Sequence, residues 1–312
     1  MRILIVCSGN APNFDVRLHQ AFIYEQVEAL KQLDTSLQFD YFFIQGKGLL
    51  GYLSCHRALL QQLANQLYDC VHAHVTMSSL LANLQRRVPV ITTFHGSDIN
   101  VPKLRMLAMV AAFLSYRTIY ISQQLRQKAI YKGKASPAVI PCGVDFERFV
   151  PRSKVESRQL LGLIAHKKYI LFSSGFSNQV KNYPLAKAAV ELLQDSSVEL
   201  LELKNYGRED VALLFTAVDV ALMTSYSEGS PQFVKEALAC NCPVVSTDVG
   251  DVRDMISDIE GCYLTTYEPQ DVAEKLRVVL ANPTAVSSRE CIRRFDNRLI
   301  ARQIRDVYQQ LL

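Results

Sequence analysis

The first half of the chain alternates two patterns. Short, mostly apolar runs suited to strands covered on both faces are separated by stretches whose apolar residues recur at helical spacing. The runs are RILIVC (2–7), FDYFFI (39–44), CVHAHV (70–75), PVITTF (89–94), TIYIS (118–122) and AVIP (138–141). Between them the spacing predicts helices over 18–33, where Phe22, Ile23, Val27 and Leu30 share a face, and over 56–67, 78–86, 103–116 and 123–132. The segment 103–116 is apolar nearly all round between Arg105 and Arg117, which predicts burial between layers. The second half repeats the alternation, with strands over 168–174, 198–203, 218–224, 243–246 and 262–266. Its helices are expected over 153–161, 182–194, 208–217, 268–281 and 297–311. Such alternation predicts parallel sheets with helices on both faces, an α/β fold. A turn at Cys142-Gly143-Val144-Asp145, running on to Pro151, puts a domain boundary near residue 150.

A chain of 312 residues is long enough for two domains, each with its own core. Apolar content of 49% and charged content of 21% fit a globular protein and argue against disorder. The opening MRILIVCSGN lacks signal-peptide anatomy, and the apolar stretch Met106–Leu114 is too short to span a bilayer, so a soluble cytoplasmic protein is expected. Of eight scattered cysteines only Cys240 and Cys242 are close, with no second Cys or His pair to complete a zinc site, so buried free thiols are expected. The net charge of +4 is unevenly spread. Residues 1–150 hold 15 Lys/Arg against 9 Asp/Glu, and residues 151–312 hold 19 against 21. Seven basic residues and no acidic one lie between Ile99 and Val144. That stretch, 103–134, suits an anionic acceptor or peripheral contact with the inner face of a membrane, and equally a solvated basic face. No nucleic-acid partner is expected.

The densest candidate chemistry lies in EGSPQFVKEALACNCPVVSTDV, Glu228–Val249. Ser230 suits a helix N-cap and Pro231 the first helical position. The N–H groups of Gln232, Phe233 and Val234 would then open the helix, a place that favours a phosphate. Glu228 precedes the cap, and Glu236 lies one turn beyond Gln232 on the same face; by spacing alone these read as two solvated glutamates on a surface loop and helix. In the first half, strand PVITTF ends in His95-Gly96-Ser97-Asp98, at the strand end where parallel sheets bind ligands. Asp98 equally suits a cap for the segment starting near Val101, and His72 and His74 read as core or strand-end residues. The Ser8-Gly9-Asn10 turn is not a G-x-G-x-x-G fingerprint, which argues against a dinucleotide cofactor.

The string from SYSEG through the two glutamates to STDVGD, about thirty residues, resembles the donor-site signature of retaining glycosyltransferases of family 4. TFHGSD, at His95, and the P-x-G-V-D crossing at Pro141–Asp145 are similar to the same family. The resemblance implies the GT-B fold: two Rossmann-like domains facing each other across a cleft. They are expected over 1–149 (acceptor) and 150–295 (donor), with a helix over 296–312 returning to the first domain. The family usually has one more strand–helix unit in its second domain than this chain has room for. The implied activity is metal-independent transfer of a hexose or N-acetylhexosamine from a nucleotide diphosphate sugar to a saccharide or lipid-linked hydroxyl, with retention, in surface polysaccharide or glycolipid assembly. No cofactor is implied beyond the donor itself. The implied catalytic residues are His95, Lys181 and Glu228. The implied donor-binding residues are Gly9, Gly175, Lys181, Glu228, Gly229, Ser230, Pro231, Gln232, Phe233 and Glu236. Lys181 would act as a point charge on the diphosphate, though it also suits a surface lysine at a helix start. Phe176 stands where the family pattern has an arginine, leaving open weaker donor binding, substitution by another cation, or a catalytically silent nucleotide-sugar-binding protein. A nucleotide-sugar epimerase of the same shape is a further alternative, without identifiable residues at the sugar C2.

Overall fold

In the computed structural model, which describes residues 1–134, 136–282 and 286–311, the chain divides into two compact units. The first comprises Met1–Gly143 and Asn297–Leu312, and the second Val144–Asp296. The division thus falls at Gly143/Val144 rather than near 150.

The first unit is built on six strands: β1 (Arg2–Ser8), β2 (Gln38–Ile44), β3 (Cys70–His74), β4 (Val90–Phe94), β5 (Arg117–Tyr120) and β6 (Ala138–Val139). They pair in parallel in the order β2-β1-β3-β4-β5-β6. The second unit has β7 (Lys168–Phe172), β8 (Val198–Glu202), β9 (Val220–Met223), β10 (Val244–Thr247) and β11 (Tyr263–Thr265), parallel in the order β11-β10-β9-β7-β8. In each sheet the chain adds its second strand on one side of the first and then crosses to the other side. The crossing leaves a switch point between β1 and β3 and another between β7 and β9, where neighbouring loops depart in opposite directions and ligands commonly bind.

Successive strand side chains point to opposite faces, so each strand supplies two cores. Ile3, Ile5 and Cys7 pack against Ile23, Val27 and Leu30 of the helix Ala21–Leu33, whereas Leu4 and Val6 meet Leu59, Leu63, Leu81 and Ala82 on the opposite face. The last helix, Asn297–Gln309, joins the first of these cores through Ile300, Ala301, Ile304, Val307 and Tyr308, an apolar stripe at helical spacing. It thus belongs to the first unit although it follows the whole of the second in sequence.

Three expectations need correction. The helix Pro102–Leu114 is not buried between layers. Its small residues Ala108, Ala111 and Ala112 face inward, while Met106, Val110 and Phe113 are exposed, because its close approach to the helix Thr76–Asn83 leaves room only for alanine-sized side chains. The segment expected as one helix over 18–33 is broken at Gln20 (φ −133°, ψ 41°) into Val16–His19 and Ala21–Leu33. The helix expected over 56–67 is preceded by another, Gly48–Ser54, and ends at Asn65.

Ile304→Ala would remove a buried side chain from the joint between the last helix and the β1 face. It is expected to cost about 2–4 kcal/mol in urea unfolding; an effect under about 1 kcal/mol would show that the helix contributes little to the first unit.

Candidate functional site

In the second unit the candidate residues gather at the β7/β9 switch point. After β7 the chain runs through Gly175, where an added Cβ would lie 3.2 Å from Lys204 Cδ, to a short turn, Gln179–Lys181. Asn178 caps that turn by accepting from the Val180 N–H, and Asn182 leaves it in a left-handed conformation (φ 54°). The Thr224 hydroxyl, just past β9, donates to the carbonyls of Lys181 (2.9 Å) and Asn182 (3.0 Å), tying the two loops together. The Tyr226 N–H donates to the Val180 carbonyl at 2.9 Å. So held, Lys181 Nζ reaches Glu228 Oε1 at 2.6 Å, with both side chains mostly shielded from solvent.

The loops after β9 and β10 also meet. Gly250 sits at φ 59°, and a Cβ there would come within 2.9 Å of the Gly229 carbonyl oxygen, so both conformation and space demand glycine. Beside this contact the Ser230 hydroxyl donates to Asp251 Oδ2 (2.7 Å). Ser230 is therefore not the cap of the helix Gln232–Ala239. Pro231, extended at ψ 121°, occupies that position without a side-chain cap, because the serine hydroxyl is taken by the neighbouring loop. Burial raises the Asp251 carboxyl above its usual range. The opening amides of the helix, at Gln232, Phe233 and Val234, precede its regular hydrogen-bond ladder. One turn in, the buried Glu236 carboxylate meets the Arg208 guanidinium with Oε1–Nη2 at 2.6 Å and Oε2–Nη1 at 3.3 Å. Arg208 also lies over the Phe149 ring, 4.9 Å from its centroid.

Two positions singled out in the sequence pack against their neighbours. Phe176 turns inward and stacks on Tyr183 at 4.1 Å, while its N–H donates to Glu202 Oε2. Gly9 follows β1 in the first unit, where a Cβ would lie 2.9 Å from Phe43 Cβ and its N–H donates to the Ile44 carbonyl; close packing against β2 accounts for the glycine.

His95 follows β4 in the first unit and is half-buried. Its Nε2 lies 2.9 Å from Nδ1 of the buried His74, and its Nδ1 lies 3.6 Å from Cys142 Sγ. Asp98 does not cap the helix Pro102–Leu114, which starts at Val101 without a side-chain cap. Its carboxylate instead accepts from the N–H groups of Thr76 (2.6 Å) and His95 (2.9 Å), linking the ends of β3 and β4. Burial raises the Asp98 carboxyl despite these two donors. His72, expected in the core, is there: Nδ1 is 2.6 Å from the Tyr308 hydroxyl and Nε2 is 2.7 Å from the Thr93 hydroxyl.

Sequence reasoning missed Arg208, Asp251 and the contact of His74 with His95. A basic residue in the first helical turn, where cations are disfavoured, was the available signal for Arg208. For His74 the signal was the His-Ala-His spacing, which puts two imidazoles on one face of β3.

Residues 20–148 match the family model described as Glycosyltransferase Family 4, and residues 182–297 match that described as Glycosyl transferases group 1. The chain belongs to the group 1 glycosyltransferases of family 4. A D-inositol 3-phosphate glycosyltransferase of Geodermatophilus obscurus is 26% identical over 276 residues, covering 71% of this chain and 61% of that protein. TuaC of Bacillus subtilis, named for a glycosyltransferase role in teichuronic acid biosynthesis, is 27% identical over 238 residues, covering 67% and 60%. The chain thus spans about three fifths of the length of these curated relatives. Among solved structures, sucrose-phosphate synthase from Thermosynechococcus elongatus superposes with a TM-score of 0.83 at 18% identity over 99% of this chain and 98% of that one. The Anabaena protein Alr3699/HepE, solved with UDP and glucose, gives 0.75 at 19% over 99% and 100%. At such identities the likeness is one of fold, and the fold of this glycosyltransferase family member is GT-B. His95 falls inside the family 4 match, and Glu228 through Glu236 inside the group 1 match, which begins one residue after Lys181.

Burial pushes the His72 imidazole down to about 3. The native state therefore stays neutral there while the unfolded chain takes up a proton below about 6.5, so stability falls as pH drops from that value toward 3. His72→Gln is expected to lose about 2 kcal/mol less than the unaltered protein between pH 7 and pH 5 in urea titrations. Equal losses would contradict a neutral buried imidazole.

Proposed function

We propose that the chain transfers a hexose or N-acetylhexosamine from a nucleotide diphosphate sugar to an acceptor hydroxyl, with retention and without a metal. The observation that carries this reading is the Lys181–Glu228 pair at the β7/β9 switch point, a cation and a carboxylate in the loops flanking it. The glycosyltransferase names of the relatives support it, as does the Anabaena protein solved with UDP-glucose. In the proposed reaction the bond from the anomeric carbon to the phosphate oxygen breaks, and its electron pair stays on the diphosphate. Stabilising that charge is then the main catalytic task, suited to Lys181 and to the amides at 232–234. A bound diphosphate would compete with Glu228 for Lys181, leaving the carboxylate to accept from sugar hydroxyls. Glu236, oriented by Arg208, would accept from the ribose hydroxyls, and His95 is proposed to contact the sugar.

One observation favours a second reading, a silent nucleotide-sugar-binding protein. Phe176, at the position of the family's arginine, is packed on Tyr183 and supplies no cation. Mass-spectrometric detection of free nucleoside diphosphate that appears only with acceptor present separates transferase from binder.

The acceptor is proposed to be a saccharide or lipid-linked hydroxyl in surface polysaccharide or glycolipid assembly, with the protein held peripherally at a membrane. Among the described residues no helix is long and apolar enough to cross a bilayer. The helix Pro102–Leu114, however, exposes Met106, Val110 and Phe113 in one row at i, i+4 and i+7. Lys134 Nζ lies 5.6 Å from the Phe113 ring centroid, and Lys103, Arg117 and Lys132 occur in the same acid-free stretch. An apolar row with neighbouring cations suits insertion into an anionic leaflet.

Two predictions test these assignments. Glu236→Ala is expected to weaken donor binding in calorimetry, whereas Lys181→Ala lowers turnover by about a hundredfold; unchanged affinity in the first variant would remove Glu236 from the ribose. The double change Met106→Asp with Phe113→Asp is expected to reduce cosedimentation with phosphatidylglycerol-containing vesicles more than about tenfold. Equal sedimentation of both proteins, or binding to neither neutral nor anionic vesicles, would refute the membrane contact.

A further inference from the structure

The His74–His95 contact fixes more than a distance. His74 is the last residue of β3, 1% exposed, with its ring stacked on His72 at 4.4 Å and facing His95 at 5.2 Å. Its Nδ1 is hydrogen-bonded to His95 Nε2, while its own Nε2 is buried and has no partner. Burial, with smaller contributions from His72 and His95, holds the His74 imidazole well below its usual range, so it is neutral and carries one proton. A proton on Nε2 would be a buried N–H with nothing to bond, costing about 1–3 kcal/mol. An unmatched ring lone pair is the milder outcome, by the same asymmetry that makes orphaned buried N–H groups rarer than orphaned acceptors. The proton therefore sits on Nδ1 and is donated to His95. His95 Nε2 is then an acceptor with its lone pair occupied, which leaves Nδ1 as the nitrogen of His95 that carries the proton.

The surroundings hold this arrangement rigidly. Val75, directly after His74, has φ 67° and ψ 153°, a region that strongly disfavours a β-branched residue. Asp98 ties the N–H groups of Thr76 and His95 together, and the Phe22 ring lies 5.0 Å from the His95 ring. Strained backbone held by buried polar contacts is characteristic of positions where a side chain must point one way.

We infer that His74 is a positioning residue that locks His95 as its Nδ1–H tautomer, so that His95 meets the donor as a hydrogen-bond donor to an oxygen and not as a base through Nε2. Cys142 sulfur, a weak acceptor 3.6 Å from Nδ1, would be readily displaced by a sugar hydroxyl or phosphate oxygen. The second part of the inference rests on the proposed role of His95; the first does not.

The test uses the intact protein with 15N-labelled histidine. Two-bond proton–nitrogen spectra at pH 7.5 are expected to show His95 protonated at Nδ1. In His74→Leu that signature is expected to give way to the Nε2–H form. In His74→Asn, whose side-chain amide can replace the Nδ1–H donor, it should return. Nε2–H in the unaltered protein, or no change in His74→Leu, overturns the lock. UDP-glucose, UDP-N-acetylglucosamine and GDP-mannose are then tried by calorimetry, and the tightest binder is added to the labelled protein. Movement of the His95 Nδ1–H resonance, with affinity about fivefold weaker in His74→Leu and restored in His74→Asn, supports the positioning role at the worth of one hydrogen bond. A bound donor that leaves His95 unmoved while the tautomer still follows residue 74 overturns the positioning role and shows that His95 lies outside the donor site. Failure of all three probes to bind, with the tautomer lock intact, counts against the donor assignment and with it the second part.

Discussion

Parallel strand direction is the constraint on which the rest of this protein depends. With every strand of a sheet pointing the same way, the loops leaving the carboxyl ends all emerge on one edge. In each sheet the chain then reverses its direction of addition once, at β1/β3 and at β7/β9. Side chains distant in sequence meet only because of this. Lys181 and Glu228 are separated by two helices and two strands, yet their loops flank one switch point.

Short polar ties help hold the loops there. Thr224 bonds two carbonyls of the Lys181 turn, Ser230 bonds Asp251, and the Gly229–Gly250 approach brings two backbones into contact. In the first unit Asp98 performs the corresponding task for the ends of β3 and β4. Each tie satisfies a buried polar group that would otherwise be costly, so rigidity of the loop and satisfaction of its hydrogen bonds come from the same contacts.

Charge is managed by pairing. Glu236 is buried against Arg208, the half-buried Glu228 pairs with Lys181, and the imidazoles of His72 and His74 stay neutral where, among the described residues, no carboxylate offsets their burial. A buried pair adds little to stability but fixes the orientation of both groups. Arg208 supplies that orientation for Glu236.

The sequence by itself determined the strands and most helices, because a strand covered on both faces must be apolar throughout and a packed helix must keep its 3.6-residue period. It also determined the family, through the run around Glu228 and Glu236 and the turn at His95. It misjudged the helix Pro102–Leu114, since periodicity reports how apolar a segment is but not which face meets the core; alanines packed inward there and larger side chains remained outside. It assigned Ser230 to a cap because local sequence shows the hydroxyl and not Asp251, twenty-one residues away, which takes it. Arg208 against Glu236 and His74 against His95 were likewise decided only by the tertiary structure. Their contacts depend on which strands become neighbours, and strand order is set by long-range pairing that no local pattern encodes.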